Sequence, residues 1–145
     1  MLNHESNIGV TSAPIKKLDR SFNKCKRDYS QKNYPRAGYI LDYVRCAMIV
    51  ENVKELESLI KTICSEYGGD VLNVTRMKNR FHRNSESSFG YRSVMLNIIY
   101  CDKANPSLYR LICEIQITSI DFLKARKYMH LYYKIIRAEA VKCIT

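Results

Sequence analysis

The chain has 145 residues, 46% of them hydrophobic, which is enough for one domain with a real core and too few for two. Its formal net charge of +10 implies polyanionic partners: nucleotides, nucleic acid or an acidic protein. No apolar run is long enough to span a membrane, and the polar start from Met1 to Thr11 does not read as a signal peptide.

Six cysteines are dispersed with no C-x-x-C pair, and several fall at apolar periodic positions, where a free thiol packs as a small core residue. The expected setting is reducing and cytoplasmic, with no zinc site. Residues 1–13 carry no periodicity and read as a flexible arm, residues 14–140 as the folded domain, and 141–145 as a tail.

Pro14 suits the first turn of a helix running to about Tyr29. Leu18, Phe22, Cys25 and Tyr29 form its apolar stripe, beside a basic stripe of Lys17, Arg20, Lys24 and Arg27. Such a face suits a triphosphate, although a cationic helix face is as a rule simply solvated. After a polar loop containing Pro35 and Gly38, Tyr39 to Val50 reads as a buried strand interrupted by Asp42 and Arg45. A lone Asp in such a strand is usually salt-bridged; it becomes a catalytic candidate only beside a second carboxylate.

Asn52 and Glu55 read as N-cap and capping partner of a structural helix, Val53 to Tyr67, which Gly68-Gly69 stops. Asp70 to Phe81 resembles a strand ending in a basic cluster, Arg76, Lys78 and Arg80, and His82 to Ser88 a polar loop. Two alternating runs follow. Val94, Leu96 and Ile98 share one face of the first, with Tyr91, Ser93 and Asn97 on the other. In the second, Leu111, Cys113, Ile115 and Ile117 are apolar, while Arg110, Glu114 and Gln116 share the opposite face. If these strands are neighbours, Tyr91, Asn97, Arg110, Glu114 and Gln116 form one polar floor, because such groups are costly to bury bare.

Residues 101–108 read as the turn between the two runs, and Ser119 caps a final helix to about Ala140. Phe122, Ala125, Met129, Tyr133 and Ile136 form its expected inward stripe, with His130 among the basic residues around it. A histidine so placed is more often a surface residue than a catalytic one. The element order implies an α/β fold, a single domain with a mixed β-sheet flanked by helices.

Asp42 and Glu114 are the acids inside strongly apolar stretches, and two such carboxylates together suit a hard cation, Mg²⁺. With the basic groups of the first helix, the Arg76 cluster and Arg45, they form the inventory of phosphoryl or pyrophosphoryl transfer. No Walker A loop, G-x-G-x-x-G, H-E-x-x-H or G-x-S-x-G motif is present.

The order Lys17…Arg20…Lys24, Tyr39-Ile-Leu-Asp42-Tyr-Val-Arg45, Lys78-Asn-Arg80, Gly90-Tyr91-Arg-Ser93, Glu114-Ile-Gln116-Ile and His130-x-x-Tyr133-Lys134 resembles the RelA/SpoT synthetase domain over about residues 15–138. The resemblance implies a nucleotidyltransferase-like α/β fold and pyrophosphate transfer from ATP to the 3′-hydroxyl of a guanine nucleotide, with Mg²⁺ as cofactor. By the same resemblance Asp42 and Glu114 are the metal and catalytic carboxylates, and Tyr91 stacks on the acceptor base. Lys17, Arg20 and Lys24 meet the donor phosphates, and Gln116 supports the acceptor pocket. Arg45, Lys78, Arg80, Asn97 and His130 complete the expected nucleotide contacts. Small members of that family often form homo-oligomers, and some pyrophosphorylate tRNA ends, so RNA is a further expected polyanion. Two positions depart from the family pattern: Met95 replaces its histidine and Thr118 its arginine. A divergent acceptor and a silent nucleotide- or RNA-binding module are both compatible with those departures.

Overall fold

A computed structural model describes residues 8–65, 71–82, 85, 91–102, 104–105 and 110–142, of which 130, 131, 133, 134 and 136–142 are described by backbone alone. The elements run β1 Gly9–Ala13, α1 Leu18–Arg27, a short 3₁₀ helix Arg36–Tyr39, β2 Val44–Val50, α2 Val53–Ser65, β3 Leu72–Asn79, β4 Val94–Cys101, β5 Arg110–Ser119 and α3 Ile120–Lys142. The strands form one mixed sheet in the order β1-β2-β5-β4-β3, in which β2 and β5 are parallel and the other pairs antiparallel.

Alternation decides the two faces of this sheet. Val94, Leu96 and Ile98 of β4 stand opposite Ile117, Ile115 and Cys113 of β5, and Cys46 and Met48 of β2 extend the same apolar rows. Against that face α2 packs Leu56, Leu59 and Ile63, all buried. Each such side chain contributes about 1.5–3 kcal/mol when fully taken from water. The start of α2 is fixed as its sequence requires. The Glu55 amide donates to Asn52 Oδ1 at 3.0 Å, and the Glu55 carboxylate accepts in return from the Glu51 amide at 2.9 Å. Phe122 of α3 lies edge-on to Phe81, their ring centres 5.6 Å apart.

Four expectations are corrected. Within the expected arm 1–13, Gly9–Ala13 pairs with β2 as an edge strand. The first helix starts at Leu18 rather than Pro14, and its apolar stripe does not turn inward: Leu18 is 83% and Phe22 58% exposed. Ser21, Lys24 and Cys25 turn inward instead, with Lys24 and Lys16, just before the helix, paired to Asp42, while Lys17, Arg20 and Arg27 stay exposed. The second strand starts at Val44, since the 3₁₀ helix takes up Arg36–Tyr39, so Asp42 lies ahead of the strand and not in it. The final helix continues through Lys142, beyond the expected limit at Ala140, and Ala125 of its expected inward stripe is exposed.

Candidate functional site

The face of the sheet opposite α2 is polar, and its residues line up in rows across four strands. Arg45, Glu114, Asn97 and Arg76 are successive cross-strand partners from β2 through β5 and β4 to β3. The next row is Ala47, Gln116, Met95 and Lys78. The floor expected from β4 and β5 is therefore real at Asn97, Glu114 and Gln116, and β3 extends it.

A β-bulge makes that extension work. Leu72 and Val74 alternate onto the core face, and an uninterrupted strand would send Arg76 and Lys78 there too. The register shifts between Val74, opposite Ile98, and Arg76, opposite Asn97, so Thr75 is absorbed as an extra residue. Its hydroxyl donates to the Asn97 carbonyl at 3.1 Å. Parity is thereby inverted, and both cations arrive on the polar face.

A cavity of about 160 Å³ opens between this face and the α1 segment, lined by Lys24, Tyr29, Leu41, Asp42, Arg76, Lys78, Arg80, Met95, Asn97 and Glu114. The two acids singled out from the sequence meet there. Lys24 Nζ donates to Asp42 Oδ1 at 3.0 Å, and Lys16 Nζ to the other oxygen, Oδ2. Burial alone would raise the Asp42 carboxyl, but these two ammonium groups outweigh it and hold the acid below the usual carboxylate range. The lysines respond differently. Desolvation dominates at Lys16 and lowers it despite Asp42, whereas at Lys24 the opposing carboxylate prevails and raises it. Glu114 is 7% exposed and accepts from Gln116 Nε2 at 2.8 Å.

Among the described residues, five buried side-chain groups have no hydrogen-bond partner: Arg45 Nε, Arg80 Nε, Tyr91 Oη, Ser93 Oγ and Asn97 Nδ2. Each such group costs about 1–3 kcal/mol if left unmade, and the two of them that line the cavity, Arg80 and Asn97, are donors suited to a group rich in acceptor oxygens. No cluster of three or more His, Cys, Asp or Glu side chains exists among the described residues. Two carboxylates in one cavity nonetheless fit Mg²⁺, which takes one or two carboxylates and completes its shell with water and phosphate oxygens.

Other expected residues lie apart. Lys17 and Arg20 are exposed on α1 and do not line the cavity. Tyr91 does not line it either; its ring lies 5.0 Å from the Arg126 guanidinium of α3, and its hydroxyl is buried without a partner. The side chain of His130, like Gly90 and most of the 82–88 loop, lies outside the described residues. Lys16 was not anticipated, because a helix expected from Pro14 placed it within the first turn; its separation of eight residues from Lys24 was the available signal. Thr118, fully buried, donates from Oγ1 to the Arg92 carbonyl at 2.8 Å and thereby ties β5 to the approach of β4.

This architecture matches solved structures. It aligns with small alarmone synthetase 1 from Bacillus subtilis bound to its product pppGpp, with a TM-score of 0.68 and 17% identity over 86% of this chain and 62% of that one. A GTP pyrophosphokinase family protein from Streptococcus pneumoniae gives 0.66 at 21% identity, covering 87% and 59%. Small alarmone synthetase 2 from B. subtilis gives 0.67 at 19%, covering 89% and 64%.

The fold is that of the small alarmone synthetases. The chain spans about three fifths of the length of the synthetase structures it matches. No family model matches it, and neither does any curated protein. The alarmone-synthetase fold thus carries the sequence resemblance through to topology. Among the described residues, no helix is long and apolar enough to cross a membrane.

Proposed function

We propose that this chain is a Mg²⁺-dependent pyrophosphokinase that moves pyrophosphate from ATP to the 3′-hydroxyl of an acceptor nucleotide, with a guanine nucleotide as the leading acceptor. The observation that carries this reading is the meeting of Asp42 and Glu114 with Lys24, Arg76, Lys78 and Arg80 around one cavity. Asp42 and Glu114 would hold the Mg²⁺, which when bound offsets phosphate charge and polarises the transferred group. Lys16 and Lys24 neutralise Asp42 in the ligand-free protein and are placed to exchange it for donor phosphate oxygens. Arg76, Lys78 and Arg80 supply fixed positive charge where negative charge accumulates on the phosphates, which is where phosphoryl-type transfer draws most of its acceleration. Glu114, oriented by Gln116, accepts the proton of the attacking hydroxyl as the new oxygen–phosphorus bond forms and AMP leaves. That a relative's structure contains pppGpp, and another of the same protein AMPCPP, supports nucleotide ligands at this fold.

Met95, which lines the cavity where the family has histidine, favours a second reading: a nucleotide-binding module that has lost transfer. One experiment separates the two. ATP labelled at its β-phosphate is offered with Mg²⁺ and, separately, GDP, GTP, ATP and bulk tRNA. Labelled acceptor that vanishes in Glu114→Gln establishes the kinase and names its acceptor. Absence of transfer with ATP still raising the melting temperature establishes the module, and absence of both ends the nucleotide reading.

A further inference from the structure

We infer that the outer surface of α1 and the following 3₁₀ helix is a docking strip for single-stranded nucleic acid, separate from the catalytic cavity. Charge is the first observation. Between Lys16 and Arg36 there are eight basic residues against two acidic ones, so 21 residues hold six of the chain's ten net positive charges. Aromatic rings are interleaved with them. Lys26 lies 4.7 Å from the Phe22 ring centre, Arg36 4.5 Å from that of Tyr34, and Lys32 5.8 Å from that of Tyr39. Proteins at large hold about one significant cation–π pair per 70–80 residues, so three on the outer side of residues 22–39 set this segment apart.

If those pairs served only to clamp the segment, their rings would be covered. They are open instead: Tyr34 is 79% exposed, Phe22 58% and Tyr39 39%. An open ring beside a fixed cation offers a base a stacking surface and its phosphate a counter-charge at the next position, which is the construction used for strands bound without sequence readout. Beside the rings lies a cavity of about 410 Å³ whose lining includes Leu18, Phe22, Cys25, Ala37 and Tyr43, an apolar recess next to the stacking surface. Paired bases in a duplex bury the faces that these rings would meet, so a single strand is the matching partner. No group on the strip distinguishes ribose from deoxyribose, and RNA and DNA strands are both within the proposal.

The test is fluorescence anisotropy with a labelled 15-mer, as RNA, as DNA and as a blunt duplex, over a series of salt concentrations. Both single strands should bind at least tenfold more tightly than the duplex. Tyr34→Ala should weaken single-strand binding about tenfold with little change in salt slope, since one base–aromatic stack is lost and no charge. The triple variant Lys26→Gln/Lys32→Gln/Arg36→Gln should lower that slope by about 2, near 0.7 for each phosphate contact removed. Equal affinity for duplex and single strand would reduce the strip to general polyanion attraction and overturn the inference. So would unchanged binding in Tyr34→Ala, or loss in Lys78→Gln alone, which would place the strand in the catalytic cavity. Tyr34→Ala should leave nucleotide transfer intact, so this proposal and the proposed enzymatic function fail independently.

Discussion

Replacing Asp42 by Asn tests the electrostatic core of the site and also sets how any loss of activity must be interpreted. The substitution keeps shape but removes the charge shared by Lys16 and Lys24, whose side chains are 8% and 26% accessible. At the 3.0 Å separation of Lys24 from Asp42, Coulomb attraction is about 5 kcal/mol at an effective dielectric constant of about 20. Water reaches Lys24, so only part of that is realised; the larger effect is Lys16, left charged and nearly inaccessible with no partner. Unpairing a fully buried ion costs about 3–5 kcal/mol, and for this partly buried cluster about 2–4 kcal/mol is expected. With a urea m-value of about 2 kcal/mol/M, the unfolding midpoint at pH 7 should fall by about 1–2 M. Adding Lys16→Met should recover at least half of the loss, because the stranded ammonium is gone. A single variant within about 0.5 kcal/mol of wild type, or a double variant no more stable than the single one, would refute this account. Acid reaches the same state by titration. The Asp42 carboxyl is depressed in the fold, so its contribution is complete above the ordinary carboxylate range and is lost as pH falls through the lowered folded value. Asp42→Asn should flatten that acid limb.

Three further outcomes follow from particular contacts. Glu114→Gln should cut transfer by about 10²–10⁴-fold while stability stays within about 1 kcal/mol of wild type, measured by single-turnover kinetics and urea unfolding. Thr118→Val removes the hydroxyl bonded to the Arg92 carbonyl and leaves that buried acceptor unpaired, so unfolding free energy should drop by about 1–2 kcal/mol. Deleting Thr75 should be tolerated, at about 1 kcal/mol for its lost hydrogen bond, because Arg76 stays opposite Asn97 in an unbulged strand. Inserting one Ala after Thr75 lets plain alternation keep Arg76 on the polar face but moves it to a place opposite Met95, one same-face row (about 7 Å) from Asn97, so ATP binding measured by calorimetry should weaken. Equal behaviour of deletion and insertion would remove the bulge from the account.

Much of this arrangement was legible where local chemistry and periodicity agree. The alternation in β4 and β5 places Leu96 and Ile117 in the core and Asn97, Glu114 and Gln116 on the polar floor, and Asn52 with Glu55 marks the start of α2. The orientation of α1 was not legible, because both of its stripes are regular and only the distant Asp42 draws Lys24 inward. Periodicity knows nothing of a partner on another segment. The strand from Leu72 did contain an unread signal: Leu72, Val74, Arg76 and Lys78 share one parity, and two apolar residues and two cations cannot share a core face without a break in register.

The site therefore rests on two places where the chain departs from the simplest packing of its own pattern. The bulge at Thr75 brings cations onto a face that plain alternation would deny them, and the reversal of α1 brings Lys24 to Asp42 while leaving Leu18 and Phe22 in water. Each departure costs stability, as do the unpartnered donors on Arg45, Arg80 and Asn97. A fold selected for stability alone would remove them, since most such positions accept apolar or self-satisfied substitutes. The proposed nucleotide would account for them together: its oxygens would satisfy the donors and its charge would exchange with Asp42 for the lysines. The same orientation exposes the aromatic and basic outer side of α1, so the candidate cavity and the proposed docking strip are opposite consequences of one helix orientation.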